Sequence, residues 1–134
     1  METLFENKFV VIAHDSEKKF NKTVWKPETE DMEIDEWKEV IETIAKFTVQ
    51  KRNELYLSND KDLKYIFDVD NQVWMAETIG KSFITAGLKK FAIVRPAEMI
   101  SDLAAEQTVE EAGKTPFETR FFDNEEDAMK WLFE

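Results

Sequence analysis

The chain has 134 residues and no cysteine, is 43% hydrophobic and 35% charged, and carries a formal net charge of -11. That length fits a single domain, residues 1–134, which can bury roughly two-thirds of its unfolded surface without a metal or a disulfide, while the missing cysteines remove disulfides, thiolate metal sites and thiol nucleophiles together. The acidic balance sets the protein against nucleic-acid phosphate and anionic membranes, and its basic residues gather only in pairs such as Lys18-Lys19, Lys51-Arg52 and Lys89-Lys90.

No apolar run approaches the roughly 20 residues that a membrane helix requires. The opening Met-Glu-Thr-Leu-Phe-Glu lacks the basic start and apolar centre of a signal peptide, so the expected location is cytoplasmic, with no membrane span.

Along the chain, Lys8–Ala13 is β-branched and aromatic and suits a pleated strand. The polar stretch His14–Lys19 reads as a turn leading to a second strand, Phe20–Lys26, anchored by Val24 and Trp25, and the short spacing favours an antiparallel hairpin. Pro27 ends it, because proline cannot donate to a ladder. The acidic run Glu28–Glu36 feeds a helix with Trp37, Val40, Ile41, Ile44, Ala45 and Thr48 on one face, with Asp35 or Asp31 as N-cap, ending near Lys51-Arg52-Asn53.

Two runs compete for the next strand, Glu54–Ser58 and Lys64–Val69. The first is preferred, with Leu55 and Leu57 on one face, which leaves Asn59–Asp70 as a loop pinned by Leu63, Tyr65 and Phe67. A helix capped by Asp70 or Asn71 follows, carrying Val73, Trp74, Ala76, Ile79, Phe83 and Ala86 inward. Gly80 inside it costs about 1 kcal/mol relative to alanine, which predicts close approach of helix to sheet. Thr85-Ala86-Gly87-Leu88 has the form of a glycine C-cap with Leu88 folding back, and Phe91–Val94 is apolar enough for a central strand. A helical stretch carrying Met99, Ile100, Leu103 and Ala104 comes after Pro96, then a strand over Phe117–Phe122. A last helix, with Asp123 as N-cap and Glu126 three residues on, buries Ala128, Trp131 and Leu132. The expected fold class is therefore α/β: a small mixed sheet, an N-terminal antiparallel hairpin plus parallel strands, flanked by helices. The crossovers between the parallel strands are long enough for that topology.

The inventory is poor in catalytic groups. His14 is the only histidine, so a triad or a histidine-rich metal site would have to be built on it alone, and a solvated or hydrogen-bonded turn residue is the default reading. Gly80, Gly87 and Gly113 cannot form a phosphate-cradling loop. Asp60-Lys61-Asp62-Leu63-Lys64-Tyr65 begins like a calcium loop but lacks the oxygen ligand at the fifth position and the glycine at the sixth. Catalytic residues, metal and cofactor are accordingly expected to be none. The tryptophans Trp25, Trp37, Trp74 and Trp131 sit on apolar stripes and read as core.

Leu55-Tyr56-Leu57, Gln72-Val73-Trp74, the run Gly87–Val94, the run Ala105–Glu111, Arg120-Phe121-Phe122-Asp123 and Ala128–Leu132 together resemble the SpoIIAA-like group of STAS-related proteins, over Leu55 to Leu132. The resemblance implies a mixed sheet flanked by helices, and relatives of two kinds: anti-sigma-factor antagonists that bind a partner kinase and are switched by phosphorylation, and CRAL-TRIO-like modules that hold lipids. The switch serine of the antagonists lies where a central strand turns into a helix; Asn59–Glu77 contains no serine or threonine.

The leading expectation is a non-enzymatic protein-interaction module without that serine. Its partner-binding residues would be Phe67, Asp68, Asp70, Asn71 and Trp74, and a second copy of the chain is one option for the partner. The alternative is a binder of a lipid or other apolar small molecule, in a cleft between sheet and helices lined by Phe47, Ile79, Phe83 and Met99.

Overall fold

The computed structural model describes residues 1–65, 68–96 and 115–134. Strand β1 (Glu2–Glu6) precedes the expected hairpin of β2 (Val10–Asp15) and β3 (Phe20–Trp25). The hairpin turn is built by Asp15, whose Oδ1 accepts from the backbone N–H groups of Glu17 (3.1 Å) and Lys18 (3.3 Å), the local bond that favours aspartate in turns. Lys19 closes the turn with φ 49. Pro27 opens a single 3-10 turn, Pro27–Asp31, and α1 (Ile34–Gln50) follows, burying Trp37, Val40, Ile41, Ile44 and Thr48 as its periodicity requires. Strand β4 (Leu55–Asn59), α2 (Val69–Ala86), β5 (Lys90–Val94), β6 (Glu118–Phe122) and α3 (Glu125–Leu132) complete the described chain.

The six strands lie in sequence order, β1 to β6. The first two pairings are antiparallel and the remaining three parallel. The N-terminal antiparallel part is therefore three strands rather than a hairpin. His14 lies within β2 opposite Asn21, not in the turn, and is buried.

Alternation along the strands divides the core. Tyr56 joins Val10, Ile12, Trp25, Trp37, Val40, Ile41, Ile44 and Phe83 on one face of the sheet, where α1 and α2 pack side by side. Its neighbour Leu57 points to the other face and meets Phe20, Ala92, Val94, Ala128, Trp131 and Leu132, so α3 covers β4, β5 and β6 from that side. Phe91 to Val94 lie inside the sheet, with Ala92, Ile93 and Val94 buried.

Five local expectations need correction. α1 is capped by Glu33, not Asp35 or Asp31, through a reciprocal box with Glu36. Asp68, not Asp70 or Asn71, caps α2, and Asn124, not Asp123, caps α3. In each acid-rich stretch several side chains can bond the free helix N–H groups, so the packing of the first turn selects among them. Gly80 does not mark close approach to the sheet, because a Cβ built on it meets nothing within 4 Å, and Val73 is exposed rather than inward. Gly87 does end α2 in the left-handed region (φ 84), with the Leu88 N–H donating to the Phe83 carbonyl at 3.0 Å. The expected helix carrying Met99 and Leu103 lies outside the described residues.

Candidate functional site

The parallel strands β3 to β6 all finish on one edge of the sheet, and α1, α2 and α3 all start there. Ligand sites of parallel α/β sheets lie outside this carboxyl edge. The sequence-expected residues Asp68, Asp70, Asn71 and Trp74 are brought together here on the first turns of α2.

The Asp68 carboxylate accepts from the Asn71 backbone N–H (2.9 Å) and is thereby engaged as the cap. Asp70 is exposed. Trp74 is half-buried: its ring lies 5.6 Å from that of Trp37, with the Lys38 ammonium 5.4 Å from its centroid. Tyr65, at the end of the β4–α2 loop, stacks on Trp37 with ring centroids 5.6 Å apart. Its hydroxyl is pushed up from the usual phenol range by partial burial, then by the negative charges of Asp68 and Glu33. Tyr65 thus sits within the field of both helix caps and links the start of α1 to the start of α2. Phe67 lies outside the described residues.

The exposed aliphatic side chains of this edge were not expected. Val69 is 58% exposed, Val73 38% and Ile34 37%, all on the opening turns of α1 and α2. Val73 reads as a core position by spacing alone, since i, i+3 and i+4 patterns do not say which of two overlapping stripes faces inward.

Along β3, β4 and the residue after β4 runs a set of buried and half-buried polar groups. The Tyr56 hydroxyl bonds Thr23 Oγ1, and Ser58 Oγ donates to Asp60 Oδ1 (2.6 Å). Asp60 follows the last residue of β4; its N–H donates to the Val94 carbonyl (3.0 Å) and its carbonyl accepts from the Leu63 N–H (3.0 Å). The residue is 7% exposed, and burial pushes its carboxyl up to about 7, opposed in part by the Ser58 hydrogen bond. Burial pushes the Tyr56 hydroxyl up as well, and the charge of Asp60 adds to that effect. Strand parity sets Tyr56 and Ser58 on the face opposite Leu55 and Leu57, but the identity of that face depends on the β3–β4 register, and Asp60 was expected in the loop.

On the other face of the edge, Glu125 in the first turn of α3 pairs with Lys22 and accepts from Asn59 Nδ2 at 3.0 Å, pinning α3 to the middle of the sheet. At the opposite, amino edge, His14 Nδ1 lies 2.7 Å from Asn21 Oδ1, which also accepts from Asn53 Nδ2 at 3.1 Å. That arrangement is a buried polar cluster joining β2, β3 and the end of α1. Glu54 at the same edge is held below the usual carboxylate range by hydrogen bonds first from Lys89 and then from Lys19.

The residues expected to line an apolar cleft lie elsewhere. Phe83 is 1% exposed within the main core, in ring contact with Tyr56, Phe91 and Phe117. Phe47 and Ile79 pack partly buried against the same core, and Met99 lies outside the described residues. Among the described residues no group of three or more histidine, aspartate or glutamate side chains is placed to hold a metal ion, and no helix is long and apolar enough to cross a membrane. No protein-family model, curated protein or solved structure matches this chain.

Proposed function

We propose that the chain is a non-enzymatic protein-interaction module of SpoIIAA-like, STAS-related type, working in the cytoplasm as one domain and docking a protein partner through the carboxyl edge of its sheet. The observation that carries this reading is the exposed apolar set Ile34, Val69 and Val73 beside Asp70 on two adjoining helix starts. Apolar side chains rimmed by charge are the usual composition of a docking patch. Tyr65 stacked on Trp37, with Trp74 tilted against the same indole, ties the two helix starts together, so a partner would meet a preorganised surface and lose less entropy on binding.

The family resemblance supports the same region, since its docking surface also lies where a strand gives way to a helix. The acidic balance of the chain selects a partner with a basic face, because complementary charge speeds encounter and suppresses wrong partners.

The test is quantitative affinity capture with Asp70→Lys/Val73→Asp against an amino-edge control, Lys51→Glu, each confirmed as folded by circular dichroism. Proteins retained by the wild type and the control but reduced at least about tenfold by the edge variant, equivalent to about 1.4 kcal/mol, are the expected result. Equal retention by all three would overturn the reading.

A further inference from the structure

The β4–α2 segment contains no serine or threonine between Asn59 and Glu77, yet it contains one buried acid. We propose that Asp60 is a proton switch for the docking edge: protonated, its carboxyl stays packed under the loop from Asp60 to Tyr65, and on ionising it loosens that loop and the aromatic stack that holds the start of α2. This inference rests on the docking role proposed for that edge.

The geometry supplies both halves of a switch. The carboxyl belongs to a buried residue at the start of the loop and has one hydroxyl, that of Ser58, as its side-chain partner. A buried carboxylate without a cation is costly, so the group keeps its proton until water or a cation reaches it. Around it, Lys26 just after β3 is engaged by Glu6, Arg95 beyond β5 lies 3.8 Å from Asp123, and Lys38 on α1 lies over Trp74. Lys61, Asp62 and Lys64 share the loop with Asp60. Glu28, Glu30 and Asp31 of the 3-10 turn, Glu33, Asp35 and Glu36 of α1 and Asp68 and Asp70 of α2 add only negative charge. Among the described residues none of the cations forms an ion pair with Asp60, and the neighbouring Tyr56 is neutral.

The same loop couples Asp60 to the core, with the Lys61 N–H donating to Asn59 Oδ1 (3.1 Å) and Thr29 Oγ1 reaching the Asp62 carbonyl (3.5 Å). The Lys64 N–H donates to Thr29 Oγ1 (2.9 Å), the Leu63 N–H to the Asp60 carbonyl (3.0 Å), and Leu63 and Tyr65 pack on the core. Tyr65 then transmits any shift to Trp37, and Trp37 to Trp74. Burial, opposed by the Ser58 bond, sets the transition at about pH 7, within the range a cell can traverse.

The experiment is an NMR titration of the free 134-residue chain from about pH 5.5 to about 8.5, a range that brackets the transition, following the Asp60 carboxyl carbon, the indole signals of Trp37 and Trp74, and the amides of Leu63 to Tyr65. The expected result is one shared midpoint at about pH 7, lost in Asp60→Asn. In Ser58→Ala it moves to higher pH, because the hydroxyl that favours the ionised form is gone. An Asp60 carboxyl that titrates in the ordinary carboxylate range, or indole signals that stay flat, would overturn the switch. So would a transition that persists unchanged in Asp60→Asn. Should Asp60→Asn not fold, the direction of the Ser58→Ala shift decides. The titration reads the protein without a partner, so its failure leaves the capture experiment to judge docking separately.

Discussion

Asp60 couples folding to pH with the sign opposite to that of a salt-bridged acid. In the unfolded chain its carboxyl loses its proton near 3.8, whereas in the folded chain it keeps it to about 7. Between those values the folded state binds a proton that the unfolded state has released, so stability is full at acid pH and falls as pH rises through that window. The whole shift is worth about 4 kcal/mol, of which about 3 kcal/mol is lost between pH 5 and pH 8. Glu54 works in the opposite direction, its lowered pKa withdrawing stability only as pH falls below the usual carboxylate range, so it leaves that interval undisturbed. Asp60→Asn, close in shape and uncharged at every pH, is therefore expected to be more stable than wild type by about 4 kcal/mol at pH 8 and by only about 1–2 kcal/mol at pH 5. Urea unfolding at the two pH values measures the difference. None of this was legible in the sequence, where Asp60 reads only as the first residue of an incomplete calcium loop; its burial follows from the bond to Val94 and from the β4–β5 pairing, which are long-range facts.

Within α2, two glycines of identical chemistry act with opposite sign. Gly80 lies mid-helix with open space where a Cβ would stand, so Gly80→Ala removes unfolded-chain entropy without a clash and is expected to stabilise by about 0.5–1 kcal/mol. Gly87 has φ 84, a conformation that a Cβ makes unfavourable, so Gly87→Ala is expected to destabilise by about 1 kcal/mol. Thermal unfolding of both variants checks the pair, and equal signs would contradict the geometry. The C-cap was readable because Thr-Ala-Gly-Leu carries its own local chemistry. The role of Gly80 was not, since helix propensity records its cost and says nothing about what lies opposite. The same distinction governs the caps: a helix start was legible near each acidic cluster, but the choice of Glu33, Asp68 and Asn124 over neighbours with the same chemistry was made by packing.

Across the molecule, order of elements was more legible than their ends. Leu55-Tyr56-Leu57 and Phe91-Ala92-Ile93-Val94 mark buried strands on either side of a periodic helix, and that pattern was enough to place β4, α2 and β5. β1 escaped because Thr3-Leu4-Phe5 is short and its inner residues are only half-buried. As an edge strand, β1 carries an irregularity in its pairing between Thr3 and Phe5. The other outer strand, β6, exposes Glu118 and Arg120. Bulges and charges at sheet edges discourage strand addition by a second chain, which favours the helix starts over the sheet margins as the proposed docking surface. The most direct measurement is site-specific photo-crosslinking in the native host, with the reactive side chain placed in turn at Asp70, at Val73 and, on the amino edge, at Lys51. A discrete protein adduct formed from both α2 positions, competed away by untagged wild-type protein and missing from Lys51, is the predicted result. Adducts of equal yield from all three positions, or none from Asp70 and Val73, would contradict a docking face at the carboxyl edge.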